Sequence, residues 1–284
     1  MYGQFTIVIL NFLKFNIVEN LAHLYGTQPW HWYFTQGFPV MLLTHFPLYV
    51  WINFVNREYS RKYWKLNCVI LLPVLVYSLQ AHKEFRFIYP ILPLCFISIG
   101  DFIHNKVHIT DRGYRLLLVI MTIVQLGAVF YLGRIHQSAP IKVVNHLRSE
   151  SQQFFKQQLP VTGQEKDMVV HLLMPCHHLP GHAFLFEGRQ STRHIKLFHL
   201  DCSPFDGDDS QADRFYNNPL EFVQKVSKTH KEAHYVVMYD HHSVQSVAEF
   251  LIQQHNFTLH QRFFHMHLTH DSRIGRQIII LKKN

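Results

Sequence analysis

Between residues 38 and 132 the chain holds four apolar stretches that carry almost no charge. They are 38–55 (FPVMLLTHFPLYVWINFV), 66–81 (LNCVILLPVLVYSLQA), 87–103 (FIYPILPLCFISIGDFI) and 116–132 (LLLVIMTIVQLGAVFYL). A helix needs about 20 predominantly apolar residues to cross the hydrocarbon core, and about 17 at the least. Only the fourth stretch is convincing as a span by itself. The second is short, and the third holds Pro90, Pro93 and Asp101. A soluble core would require four nearly uncharged segments in succession, with polar residues gathered in the gaps. A helical multi-pass membrane domain is the simpler expectation.

The remaining sequence is of another kind. Residues 1–135 carry 16 of the 46 Asp, Glu, Lys and Arg residues and 6 of the 23 histidines; residues 136–284 carry the rest. One uniform globule is excluded by that split. Disorder is excluded by a 48% hydrophobic and 14% aromatic content. The net charge of +8 is spread between oily segments with no dense basic stripe, so no nucleic-acid partner is expected. Four cysteines are too few for a disulfide scaffold. The amino terminus shows neither a basic start nor a small-residue cleavage site, so no cleavable signal peptide is expected.

The gaps orient the stretches. Residues 56–65 hold Arg57, Arg61, Lys62 and Lys65, and residues 104–115 hold Lys106, Arg112 and Arg115. The HKEFRF loop between them holds only Lys83 and Arg86. With all four stretches spanning, the positive-inside rule puts the two richer loops in the cytosol. Residues 1–37, the HKEFRF loop and everything after residue 132 then face the opposite side. The expected organisation is a luminal or interfacial aromatic segment (1–37), a membrane domain of about four spans (38–132), a connector (133–166) and a small luminal α/β domain (167–284). Asn256-Phe257-Thr258 is a glycosylation sequon within that last part. Cys176 and Cys202 also fall there, where a disulfide is permitted. Cys68 and Cys95 read as apolar core residues.

Two stretches carry candidate chemistry. PWHWYFTQGFP gathers Trp30, His31, Trp32, Tyr33 and Gln36 just before the first apolar stretch. Aromatic rings with polar edges suit the headgroup zone, either as a simple belt or as a re-entrant segment lining a lipid-substrate groove. Pro29, Gly37 and Pro39 argue against one continuous helix through it. His82, Lys83, Glu84 and Arg86 stand directly between two apolar stretches. Ionisable groups at a membrane edge are costly unless paired or solvated. They form either a tight charged hairpin that marks the boundary or a site for a lipid phosphate. In the second case Arg86 forks onto phosphate oxygens, Lys83 adds a point charge, His82 donates a hydrogen bond or proton, and Glu84 orients a base or binds sugar hydroxyls.

HKEFRF resembles the HKE-x-RF signature of the dolichol-phosphate-mannose-dependent mannosyltransferases, glycosyltransferase family 22 of the GT-C class, through His82, Lys83, Glu84, Arg86 and Phe87. Residues 11–16, 25–39, 173–177, 215–222 and 263–275 resemble the branch of that family that builds GPI anchors, so the likeness covers essentially the whole chain. It implies a partial GT-C membrane domain in the endoplasmic reticulum membrane. The implied donor is dolichyl phosphate mannose and the implied acceptor a GPI glycolipid. The third mannose is transferred in α-1,2 linkage with inversion, on the luminal side and without a cofactor. The acidic loop that holds the family's proposed catalytic carboxylate has no counterpart in this sequence. The catalytic residue is therefore unassigned, and the chain is expected to begin partway through the family pattern. A non-catalytic membrane protein, whose luminal domain binds a partner subunit, is the alternative.

The charged half reads as strands alternating with helices. Strands are expected at 168–175, 195–200, 234–240 and 276–283, and helices at 219–226 and 243–254, the latter capped by Ser243. His265, His267 and His270 have metal-like spacing, but 17 histidines in this half make such clusters a matter of composition, and no metal ligand set is assigned. Asp240-His241-His242 reads as a strand-to-helix turn, and residues 201–209 as a solvated acidic loop.

Overall fold

The apolar stretches become helices, but not four straight ones. The computed structural model describes residues 7–19, 21, 26–106, 112–158, 167–181, 185, 195–202, 210–227, 233–267, 269 and 273–284. They form two units, Met1–Val129 and Phe130–Asn284.

In the first unit, α1 (Val8–Leu13) runs into a π turn, Lys14–Val18. A second π turn, Tyr33–Gly37, leads into α2 (Phe38–Leu42). Gly37 and Pro39 were the expected breaks, yet the helix passes through both. The π register sends the Phe38 N–H back to the Tyr33 carbonyl, and Pro39, which has no N–H, falls at the start of the following α turn where none is needed. The break comes instead at Leu43, with φ 46° and ψ −118°. A branched side chain adopts such a conformation only under constraint. Helix α3 (His45–Val50) and the π turn Trp51–Val55 then continue at 115° to the preceding segment.

Helix α4 (Arg57–Ser78) starts at Asn56, whose side chain accepts from the N–H groups of Glu58 and Tyr59. A short α5 (Phe85–Ile88) and a 3₁₀ turn, Tyr89–Ile91, open α6 (Leu92–Lys106), and α7 follows over Arg112–Arg134. Lys62 bonds Asp101 at 2.6 Å and Lys106 bonds Glu58 at 3.1 Å. These pairs join the first turns of α4 to the last turns of α6, so the two helices run antiparallel with HKEFRF at the other end. They also give Asp101 its partner. Inside, Asn53 donates to Ser98 Oγ and to the Tyr49 carbonyl, both at 2.9 Å. Buried amides of this kind need such partners.

Among the described residues, Phe85–Lys106 and Arg112–Gln157 contain windows long and apolar enough to cross a membrane; the bent pair Tyr33–Leu42 and His45–Val55 becomes a third if it counts as one broken span. In the 112–157 segment only 6% of the apolar window is buried. A helix apolar all round and bare on every side has hydrocarbon as its natural surroundings.

The second unit is a three-layer α/β/α domain. Its elements are α8 (Ala139–Gln158), β1 (Met168–Leu173), β2 (Ile195–His199), α9 (Gln211–Asn217), α10 (Pro219–Ser227), β3 (Tyr235–Tyr239), α11 (His242–His255), β4 (Phe257–Phe264) and β5 (Gln277–Lys283). The sheet order is β2-β1-β3-β5-β4, with β1 parallel to β2 and β3, and β5 antiparallel to β3 and β4. Alternate residues serve two cores. Val170, Leu172, Tyr235, Val237, Ile278 and Ile280 face α8, while Leu173, Val236, Met238, Ile279 and Leu281 face α10 and α11. Burial on both faces is why YVVMY and IIIL show no polar alternation. Helix α8 lies in the expected connector. It buries Ala139, Val143, Val144 and Leu147, a narrow helical stripe in otherwise polar sequence. At α11 the cap is His241, whose side chain accepts from the Ser243 N–H.

Candidate functional site

The HKEFRF loop closes the α4–α6 hairpin and is held from the side by residues 26–33. Gln28 N–H donates to the Ala81 carbonyl at 2.9 Å. Lys83 returns the link, with its ammonium donating to the Gln28 carbonyl at 3.0 Å and to the Gln80 carbonyl. The Tyr33 hydroxyl donates to the Glu84 carbonyl at 3.2 Å and lies 3.3 Å from the Glu84 N–H, which donates to it. Trp32 packs on Phe85 with ring centroids 4.8 Å apart. Gly37 allows this closeness: a Cβ there would sit 3.0 Å from the Tyr33 ring and 3.2 Å from Ile88 Cδ1.

Within the loop, Glu84 is the centre. Its Oε1 accepts from Arg86 Nη2 at 2.6 Å and lies 2.8 Å from His82 Nε2. Partial burial pushes the Glu84 carboxyl up, but the hydrogen bonds from His82 and Arg86 outweigh it and hold the group below the usual carboxylate range. His82 Nδ1 lies 3.3 Å from the Gly26 carbonyl. Arg86 spends Nη2 on Glu84, and its side chain is 69% exposed. A guanidinium has five N–H donors, and the carboxylate fixes the orientation of the others.

The candidate residues therefore separate. His82, Glu84 and Arg86 form one hydrogen-bonded group, and Trp32 and Tyr33 support it from beneath, buried at 6% and 0% exposure. Lys83, expected as a point charge for phosphate, is also buried, and burial pulls its ammonium below the ordinary lysine value. Its visible work is to tie two backbone segments together. Trp30, His31 and Gln36 lie on the exposed side; Trp30 meets His31 edge to face, and His31 Nδ1 is 3.3 Å from Thr35 Oγ1. Sequence reading missed Gly26 and Gln28, because they act through backbone carbonyls and leave no side-chain signature.

Lys83→Ala leaves two carbonyls without their donor, at about 1–3 kcal/mol for each buried group. It should lower the amount of folded protein, and Lys83→Arg should not restore it because the fork does not fit a point-charge site. A Lys83→Ala chain that accumulates and melts like the parent refutes the structural role.

In the second unit, Cys176 and Cys202 form a disulfide that joins the ends of the neighbouring strands β1 and β2. It borders a cleft of about 400 Å³ lined by His177, His178, His199 and Asp201. Asn256 is exposed at the left-handed cap of α11, and Thr258 Oγ1 donates to the Lys282 carbonyl at 3.4 Å and to Asn284 Oδ1 at 3.1 Å. His265 is buried and Tyr239 lies 3.3 Å from its Nε2; His270 and residues 203–209 lie outside the described residues.

Comparison with known proteins places this geometry. The model of the Alg9-like mannosyltransferase family matches residues 1–186, which include the whole HKEFRF loop and its supports. The chain is similar to GPI alpha-1,2-mannosyltransferase 3 of Mus musculus, 32% identical over 99% of this chain and 48% of the relative. The Homo sapiens protein of the same name is 31% identical over 99% and 48%. Mannosyltransferase APTG1 of Arabidopsis thaliana is 30% identical over 100% and 52%. The chain thus spans about half the length of these relatives. No solved structure matches it. With more than half of its length matched by one family model, and with the motif loop inside the match, the chain belongs to the Alg9-like mannosyltransferase family.

Proposed function

We propose that the protein works as an inverting α-1,2-mannosyltransferase of GPI-anchor assembly, taking the third mannose from dolichyl phosphate mannose to the GPI glycolipid precursor in the endoplasmic reticulum membrane. The family match over residues 1–186 carries this reading. The names of the similar proteins supply the linkage and the GPI context. In this reading the membrane domain holds several spans, and residues 167–284 form the luminal domain. The charge pattern supports that orientation: the basic loops and HKEFRF lie at opposite ends of the α4–α6 hairpin. The Cys176–Cys202 bond supports a luminal setting too, since disulfides persist in oxidising compartments.

The chemistry assigned to the loop is recognition of the donor phosphate. Arg86 presents N–H donors held in place by Glu84, and the developing phosphate charge of the leaving dolichyl phosphate is what such donors stabilise. Trp30, with 68% of its surface exposed, and His31 and Gln36 beside it are placed for the sugar or the lipid. The carboxylate that takes the acceptor proton is left unassigned, because Glu84 is committed to His82 and Arg86.

A second reading is favoured by the completeness of the α/β/α unit, which has two cores of its own. In it the chain is a non-catalytic, membrane-anchored luminal module that binds a partner subunit. Expression of this chain in cells lacking the third GPI mannosyltransferase separates the two. Restored surface GPI-anchored proteins support the transferase and reject the module. Stable expression without restoration rejects catalysis by this chain alone.

A further inference from the structure

Glu150, on α8, is held by hydrogen bonds mainly through one of its two carboxylate oxygens. Its Oε2 accepts from the Tyr235 hydroxyl at 2.6 Å and from Lys282 Nζ at 2.8 Å. Its Oε1 is 3.3 Å from His260 Nε2, but the ring nitrogen is not aimed for a hydrogen bond and counts as a buried atom without a partner. His146 stands one helical turn before Glu150 on α8, so both project from the same face. Its Nε2 is likewise buried without a hydrogen-bond partner. One ring nitrogen from each histidine and one Glu150 carboxylate oxygen lie within 4.8 Å of one another. Orphaned buried nitrogens are rare and call for an explanation.

The sheet supplies a second observation. Leu259 pairs with Leu281 and Gln261 with Ile280, which leaves His260 as the extra residue of a bulge in β4. In a regular strand His260 and Phe263, three apart, would face opposite sides. The bulge turns both toward α8, and the His146 ring meets each of them, at 5.1 Å and 5.7 Å. Bulges re-aim side chains in this way, often beside functional sites.

We propose that His146, Glu150 and His260 bind a divalent transition-metal ion, with zinc the best fit. Two ligands held at about 2.0–2.1 Å from a tetrahedral zinc stand about 3.3 Å apart. The Glu150–His260 pair already has that separation of 3.3 Å. Side-chain rotation at His146 supplies the third ligand, and a water completes four. Tyr235 and Lys282 act as orienting partners that hold Glu150 Oε2 and leave Oε1 for the metal.

The test uses the full chain purified in detergent, stripped of metal, loaded with Zn²⁺ and dialysed. The expected result is retention of one zinc per chain, a raised melting temperature, and tetrahedral ligand-field bands when Co²⁺ replaces zinc. His146→Gln and His260→Gln should each weaken binding by more than about 100-fold, beyond the loss usual for an orienting partner. His267→Gln, elsewhere in this histidine-rich unit, should leave it unchanged. X-ray absorption on the zinc-loaded parent keeps the test independent of variant folding: two imidazole nitrogens with oxygen neighbours support the site. No retained zinc, a site of other ligands, or equal retention in all three variants overturns it.

Discussion

Replacing Arg86 with alanine is expected to reduce mannose transfer at least about 100-fold while leaving the protein folded. The two halves of that result have different physical sources. For stability, the Arg86–Glu84 pair is an exposed ion pair, with the arginine side chain 69% accessible. Such pairs contribute about 0–1 kcal/mol. For activity, a guanidinium that forks onto phosphate makes two charge-assisted bonds at about 1.5–3 kcal/mol each. Losing about 3 kcal/mol from the transition state corresponds to about 100-fold in rate. The measurement is in vitro transfer from dolichyl phosphate mannose by a mannosyltransferase carrying this sequence, read beside protein abundance and melting temperature. Arg86→Lys should recover only part of the activity, since an ammonium restores the charge but not the planar fork. A stable Arg86→Ala protein with undiminished transfer would remove the phosphate role. Loss of folded protein in Arg86→Ala would instead place Arg86 with Lys83 among the groups that hold the loop.

The second large effect is expected in the α/β/α unit. Cys176 and Cys202 are 26 residues apart in sequence and pin the end of β2, which among the described residues is an edge strand with β1 as its one neighbour in the sheet. Closing a loop of that length in the unfolded chain stabilises by about 3–4 kcal/mol on the chain-entropy account. Domains of this kind have about 5–15 kcal/mol in total. Cys202→Ser, or reduction of the native protein, should therefore remove a large share of the unit's stability, and should act first on β2. Hydrogen exchange is the decisive readout. Residues 195–199 should lose protection well before 277–283, where β5 has a neighbour on each side. Uniform loss across the sheet, or a melting temperature unchanged by reductant, would contradict it.

Much of the candidate site was legible beforehand. HKEFRF stood out because ionisable side chains at the end of an apolar hairpin are costly, and the structure brings His82, Glu84 and Arg86 into one hydrogen-bonded group. The sequence could not divide labour within the motif. Lys83 and Arg86 are both cations three residues apart, yet one is buried against carbonyls and the other faces outward. That difference is set by residues 26–33, more than 50 positions away, where Gln28 acts through its backbone.

By itself the sequence determined what periodicity and charge determine. It separated an apolar half from a charged half, located four of the five described strands through their apolar runs, and marked the ends of the hairpin by their basic residues. Those signals are local, because burial acts on each segment's own face. The tertiary structure decided what depends on register and on distant partners. The first apolar stretch is bent at Leu43 rather than broken at Gly37 or Pro39, because a π turn takes in Gly37 and Pro39 falls at the start of the α turn that follows. Helix α8 became part of the domain because the sheet offers a face for its narrow stripe. The trio His146, Glu150 and His260 was invisible, since only two of its three members are local. The helix places two ligands one turn apart, but the third comes from 110 positions further on, through a bulge that turns one histidine to the other face of its strand. A single extra residue in a strand reverses which face a side chain presents, and only the paired strand beside it reveals that the residue is extra.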